Sequence, residues 1–95
     1  MLNLEEIFIK YNDEYLKFNR IINPISKRPD LHAFMILDKL IPGDDDINSA
    51  AGHDEIFIDI DCNTLAEIAT EEIICDLVRC GVRYNRDYNS LQMFV

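Results

Sequence analysis

Asp59, Asp61 and Asn63 occupy alternate positions in the run "DIDCNT". Oxygen-bearing side chains at that spacing open a calcium loop, where hard ligands gather around one ion. The remainder of such a loop is missing. Thr64 stands at position six, where the sharp turn takes glycine, and Thr70 at position twelve, where a bidentate glutamate closes the shell; Glu71 comes one residue late. The run reads instead as a solvated strand end leading into a helix cap. His53-Asp54-Glu55 offers an acid or base beside carboxylates, but neighbours on an extended chain point to opposite sides. His32 is the only other histidine. A zinc or manganese site would need the fold to bring the two together, and the HExxH spacing is absent. Cys62, Cys75 and Cys80 form no CxxC and read as buried reduced thiols. There is no GxSxG and no glycine-rich phosphate loop, since the only glycines are Gly43, Gly52 and Gly81. The sequence therefore predicts a protein that is not an enzyme and that carries no metal or cofactor.

Charge offers a different chemistry. Residues 1–43 carry six basic and six acidic side chains; residues 44–77 carry eleven acidic ones and no lysine or arginine; residues 78–95 hold Arg79, Arg83 and Arg86 against Asp87. The whole net charge of −9 thus arises in the middle third. Soluble surfaces keep charge for solubility but mix the signs. A single-sign stretch repels nucleic acid and anionic membrane and attracts basic surfaces. On a strand, Asp59 and Asp61 would lie about 6.6 Å apart on one side. Glu55 would extend the row, with Asp54 and the Asp44, Asp45 and Asp46 loop nearby. Rows of carboxylates at such intervals can stand in for a phosphate backbone. These seven residues are the predicted partner-binding set, and the predicted partner is a basic protein that itself binds nucleic acid.

The alternative uses the one locally basic region. Arg79, Arg83 and Arg86 with Tyr84 and Tyr88 could bind a small ligand or nucleotide, between the subunits of a homo-oligomer. A stripe of Phe8, Tyr11, Tyr15 and Phe18 leaves homodimerisation open as well, because a half-exposed tyrosine buries its ring and wets its hydroxyl.

The elements that must position these groups make a single α+β domain over residues 1–95. Leu4, Phe8, Tyr11, Tyr15, Phe18 and Ile22 recur at steps of four and three, predicting a helix over residues 4–21 capped by Asn3 with Glu6. "INPISKRPD" breaks it. "DLHAFMILDKLIPG" predicts a second helix whose apolar residues nearly encircle it, as a central, buried helix requires, with His32 and Lys39 on its most polar side. "DDDINSAAGHD" reads as a polar loop. "EIFIDID" alternates strictly, with Ile56, Ile58 and Ile60 inward and Glu55, Phe57, Asp59 and Asp61 outward. Thr64 with Glu67 predicts a capping box for a short helix, and Thr70 the cap of "EEIICDLVRC", which Gly81 terminates. "VRYNRDYNSLQMFV" predicts a hairpin turning near residues 86–90. The expected architecture is two N-terminal helices packed on a small, mostly antiparallel three-stranded sheet, with a helical connection between strands. The start "MLNLEEIF" has no basic, apolar leader pattern, and the longest apolar run is residues 33–37, so a cytoplasmic protein with no membrane span is expected.

"LHAFMILDKLIPG", "SAAGHDEIFIDID" and "LVRCGVRYNRDYNSLQMFV" resemble segments of small proteins encoded by bacteriophages and prophages, over residues 29–95. The resemblance brings no catalytic signature. It implies an accessory protein acting in the cytoplasm of an infected bacterium, with inhibition of a CRISPR or restriction complex among the roles expected.

Overall fold

The computed structural model describes residues 1–52 and 54–94. Helix α1 spans Leu4–Lys10, and the Asn3 side chain accepts a hydrogen bond from the Glu6 amide at 3.1 Å. Glu5 and Glu6 at its start and Lys10 at its end suit the helix dipole. The predicted helix over 4–21 stops there. Short 3₁₀ turns at Asn12–Glu14 and Phe18–Arg20 follow. Between them Leu16 takes a left-handed backbone, φ 63°, which an α-helix of L-residues cannot carry. Its amide is spent on the Val78 carbonyl at 3.3 Å, a bond to another element in place of the helical one. The aromatic stripe survives the break, because Phe8 is buried and Tyr11, Tyr15 and Phe18 still pack on the core.

Helix α2, Pro29–Leu40, begins with a proline at its first turn, where the missing N–H costs nothing. Only His32, Ala33 and Leu37 are buried, whereas Leu31 is 43 % and Met35 40 % exposed. It is a peripheral helix, and not the central one its composition predicts. Lys39 lies exposed, and His32 is not on the polar side at all.

Four strands, β1 Asn48–Gly52, β2 Glu55–Ile58, β3 Val82–Asn85 and β4 Ser90–Phe94, form one antiparallel sheet in the order β1-β2-β4-β3. The expected three strands become four because "NSAAG", which lacks strand-forming residues, pairs with β2 at the sheet edge. A register shift between Asn48 and Ala50 marks a bulge there. Helices α3, Cys62–Ile68, and α4, Glu71–Arg79, connect β2 to β3 as expected. Opposed residues share a face, so Ile56, Met93 and Val82 make one inward row and Ile58, Leu91 and Tyr84 the next. Leu91, Val82, Leu77, Ile74, Leu65 and Leu37 are the largest fully enclosed side chains. Phe57, Gln92 and Arg83 form the matching row on the other face, with Glu55 opposite Phe94 below it.

The helix ends differ in how well they were legible. Thr70 Oγ1 accepts from the Ile73 amide at 3.2 Å and opens α4 as its position predicts. Gly81 follows α4 at φ 98°, and a Cβ there would come within 3.1 Å of Leu16 Cδ2, so both the backbone and the close approach favour glycine. Helix α3, by contrast, starts three residues before the predicted "LAEIA". Its cap is Asp61, which accepts from the Asn63 amide at 3.0 Å and from the Thr64 hydroxyl at 3.0 Å.

Candidate functional site

The acidic residues were expected along one strand. The structure arranges them along a hairpin. β2 ends at Ile58, and the Asp59 amide donates to the Ile47 carbonyl at 2.6 Å. That bond ties the loop after α2 to the end of β2. It brings the Asp44, Asp45 and Asp46 segment to the end of the hairpin where Asp59 stands. All four are exposed. Asp54 lies at the opposite end, at the β1–β2 turn, with φ 65°, and Glu55 beside it is half-buried, its side chain reaching towards Gly52. The predicted Asp59–Asp61 pair on one strand face does not form. Asp61 lies beyond the strand, and its two oxygens are occupied at the start of α3.

Among the described residues, no lysine or arginine pairs with Asp44, Asp45, Asp46, Glu55, Asp59 or Asp61. Five ion pairs among the described residues lie elsewhere. Lys10 meets Glu71 at 2.7 Å, where Tyr11 also donates at 3.1 Å, and these bonds tie α1 to α4. The hydrogen bonds from Lys10 and Tyr11 hold the Glu71 carboxyl below its ordinary range. Arg79 lies between Glu14 at 3.3 Å and Asp76 at 3.1 Å, and Arg20 joins Glu14 at 2.9 Å. Burial pushes the Glu14 carboxyl up, but the hydrogen bonds and charges of Arg20 and Arg79 outweigh it and leave the group below its ordinary value. Arg86 reaches Glu5 at 3.1 Å.

No family model, curated protein or solved structure matches this chain.

The basic C-terminal set separates. Arg79 is taken up by its two carboxylates, and Tyr88, 75 % exposed, stands edge-on to Phe57 with ring centroids 6.4 Å apart. Arg83, Tyr84 and Arg86 do come together, at a cavity of about 200 Å³ between α1 and β3. Tyr84 stacks on Phe8 with centroids 5.9 Å apart, and its hydroxyl donates to Asn89 Oδ1 at 2.6 Å. Burial, then the nearby Cys62 and Glu5, pushes the Tyr84 phenol up. The Arg83 guanidinium lies 5.0 Å from the Tyr15 ring centroid. Val78 and Val82 complete the apolar wall, and Asn12 is a polar lining residue. Sequence spacing signalled Phe8 and Tyr15 as a stripe, but not that the stripe would face β3. Glu5 and Asn12 carried no signal.

The cysteines are buried and unpaired. Burial, with the Asp61 carboxylate second, pushes the Cys62 thiol up to about 11; burial, with Asp76 second, pushes Cys80 up to about 12. Thiols held protonated in this way are poor nucleophiles. His32 is buried, its Nδ1 accepting from the Ile25 amide at 3.1 Å and its ring edge-on to Phe18, while Nε2 has no partner. Nδ1 as acceptor places the proton on Nε2. The reading of His53 as an acid, base or metal ligand lies outside the described residues. Among the described residues, no three His, Cys, Asp or Glu side chains converge as metal ligands, and no helix is long and apolar enough to cross a membrane.

Proposed function

We propose that this is a non-enzymatic accessory protein that binds a basic, nucleic-acid-binding host protein through its acidic hairpin, which takes the place of a phosphate backbone. The observation that carries the reading is the gathering of exposed Asp44, Asp45, Asp46 and Asp59 at one end of the β1–β2 hairpin, without a cation paired to them among the described residues. Charge already paired within a fold has little left for a partner. Charge left unpaired steers association and meets arginine forks by charge-assisted hydrogen bonds. From Asp59 to Glu55 is four strand steps, roughly 13 Å, which equals about four base-pair rises of a duplex. Carboxylates at both ends of the hairpin therefore span a short stretch of backbone. Asp61 adds charge to this surface, though its oxygens serve the α3 cap.

A host defence assembly, such as a CRISPR or restriction complex, met in the bacterial cytoplasm, is the proposed class of partner; this rests on the expected resemblance of residues 29–95 to bacteriophage proteins and on no match to a known protein. The mechanism is occlusion of the groove that the partner uses for nucleic acid. The test is competition. A partner captured from the bacterial host is loaded with a fluorescent duplex, and the protein is titrated in. Displacement that weakens steeply with salt, and falls about tenfold in the Asp45→Asn, Asp59→Asn double variant, is expected. Binding that leaves the duplex in place, or an affinity unchanged by salt and by the double variant, overturns the proposal.

A further inference from the structure

We infer that the cavity between α1 and β3 binds a small monocarboxylate carrying a single ring or a branched apolar group, independently of the acidic hairpin. The contrast between two half-buried arginines leads to this. Arg79 has Glu14 and Asp76 within 3.3 Å. The Arg83 side chain, also half-buried, has no carboxylate and no hydrogen-bond partner among the described residues, only the face of Tyr15 at 5.0 Å. A guanidinium stacked on a ring keeps its in-plane N–H donors, up to five of them, free for an oxygen ligand. The ring contact also restrains the guanidinium before any ligand arrives, which lowers the entropic cost of binding.

Charge and size narrow the ligand. Arg83 and Arg86 contribute two positive charges, and Glu5 removes one of them by its 3.1 Å pair with Arg86. The net of about +1 suits a monoanion; a di- or triphosphate would be left with uncompensated charge. The volume of about 200 Å³ exceeds the roughly 150 Å³ of an apolar cavity that holds benzene. One ring and a carboxylate fit within it. Phe8, Tyr84, Val78 and Val82 supply the apolar wall against which the ring would lie. Arg86 and Glu5, 72 % and 44 % exposed, form a rim pair that holds weakly and can open as a ligand enters.

Phenylacetate is the probe, titrated into ¹⁵N-labelled protein. Benzyl alcohol serves as the neutral ring and inorganic phosphate as the ringless anion. Saturable shifts of the Phe8, Tyr15 and Arg83 amides are expected with phenylacetate by about 10 mM, above a millimolar Kd. Arg83→Gln, whose amide spectrum reports its fold, should weaken the binding about tenfold, and Arg28→Gln, on the basic connector, should leave it unchanged. The proposal fails if phenylacetate gives no saturable shift at these residues. It fails equally if benzyl alcohol or phosphate binds as tightly, or if Arg83→Gln binds as well as the unaltered protein. None of these outcomes depends on the host partner, so the two proposals stand or fall separately.

Discussion

β3 and β1 are the two edge strands of one sheet, and the chain treats them differently. Beside β3 lies α1, with Arg86 paired to Glu5 and Arg83 stacked on Tyr15, and Arg79 just before the strand meets Glu14 and Asp76. At β1, Asn48, Ala50, Ala51 and Gly52 are exposed, and the neighbouring carboxylates of Asp44, Asp45, Asp46 and Asp59 have no lysine or arginine paired to them among the described residues. Edge strands invite unwanted pairing, and charge flanking them is one way to discourage it. The same unpaired charge is what a basic partner would recognise. One edge thus has its charges paired to neighbouring elements, and the other keeps its carboxylates free of lysine and arginine among the described residues. The difference shows that the distribution of partners among charged groups, more than their number, sets which part of a small surface is tied to the fold and which is left open to solvent.

The largest effect should come from the strand that joins the two edges. Leu91 in β4 is fully buried, opposite Ile58 of β2 and Tyr84 of β3. Leu91→Ala is expected to cost about 2–5 kcal/mol in chemical denaturation and to loosen both edges in a single transition. A variant that lost only the hairpin would show the two edges to be independent units. A smaller, one-sided effect is expected from Glu14→Gln, which leaves Arg79 and Arg20 without their shared carboxylate. Because the folded carboxyl sits below its ordinary value of 4.5, its stabilisation is present above that pH and is lost as pH falls through the lower folded value. The thermal midpoint of Glu14→Gln should lie below that of the unaltered protein at neutral pH, and the gap should close on acidification through that window. A gap that persists in acid would assign the loss to packing. The smallest effect belongs to the open edge. Asp45→Asn with Asp59→Asn should change stability by no more than about 0.5 kcal/mol, in the stabilising direction because like charges are removed. It should also flatten the rise of the midpoint with salt. A marked loss of stability would mean that these carboxylates have internal duties after all.

Much of this arrangement was legible in the residues. The alternation of Ile56 and Ile58, the Thr70 cap, the Gly81 stop and the C-terminal hairpin each rest on local rules that the surrounding structure did not override. The misses have particular causes. Apolar steps of three and four run on past Lys10 because Tyr11, Tyr15 and Phe18 still need the core, and periodicity cannot distinguish a helix from 3₁₀ turns that face the same way. "NSAAG" has no strand signal of its own and becomes β1 only because β2 offers it an edge. Asp61 looked like the next outward residue of a strand, but a carboxylate two residues before an available amide is also a cap, and the cap prevailed. At the candidate sites, the acidic composition was plain, while the Asp59–Ile47 bond that gathers it was not. Asp76, three residues before Arg79 on a predicted helix, was a local signal for one of its partners, but only the fold brings Glu14 to Arg79 and leaves Arg83 without a carboxylate.

The order β1-β2-β4-β3 has a kinetic corollary. Ile56 must find Met93, a contact across most of the second half of the chain. Closing so long a loop is entropically slow, whereas β3–β4 and β1–β2 each close over a short turn. Two hairpins can therefore form early, but the sheet exists only once β4 of one meets β2 of the other, and until then the acidic hairpin has no body to be displayed from.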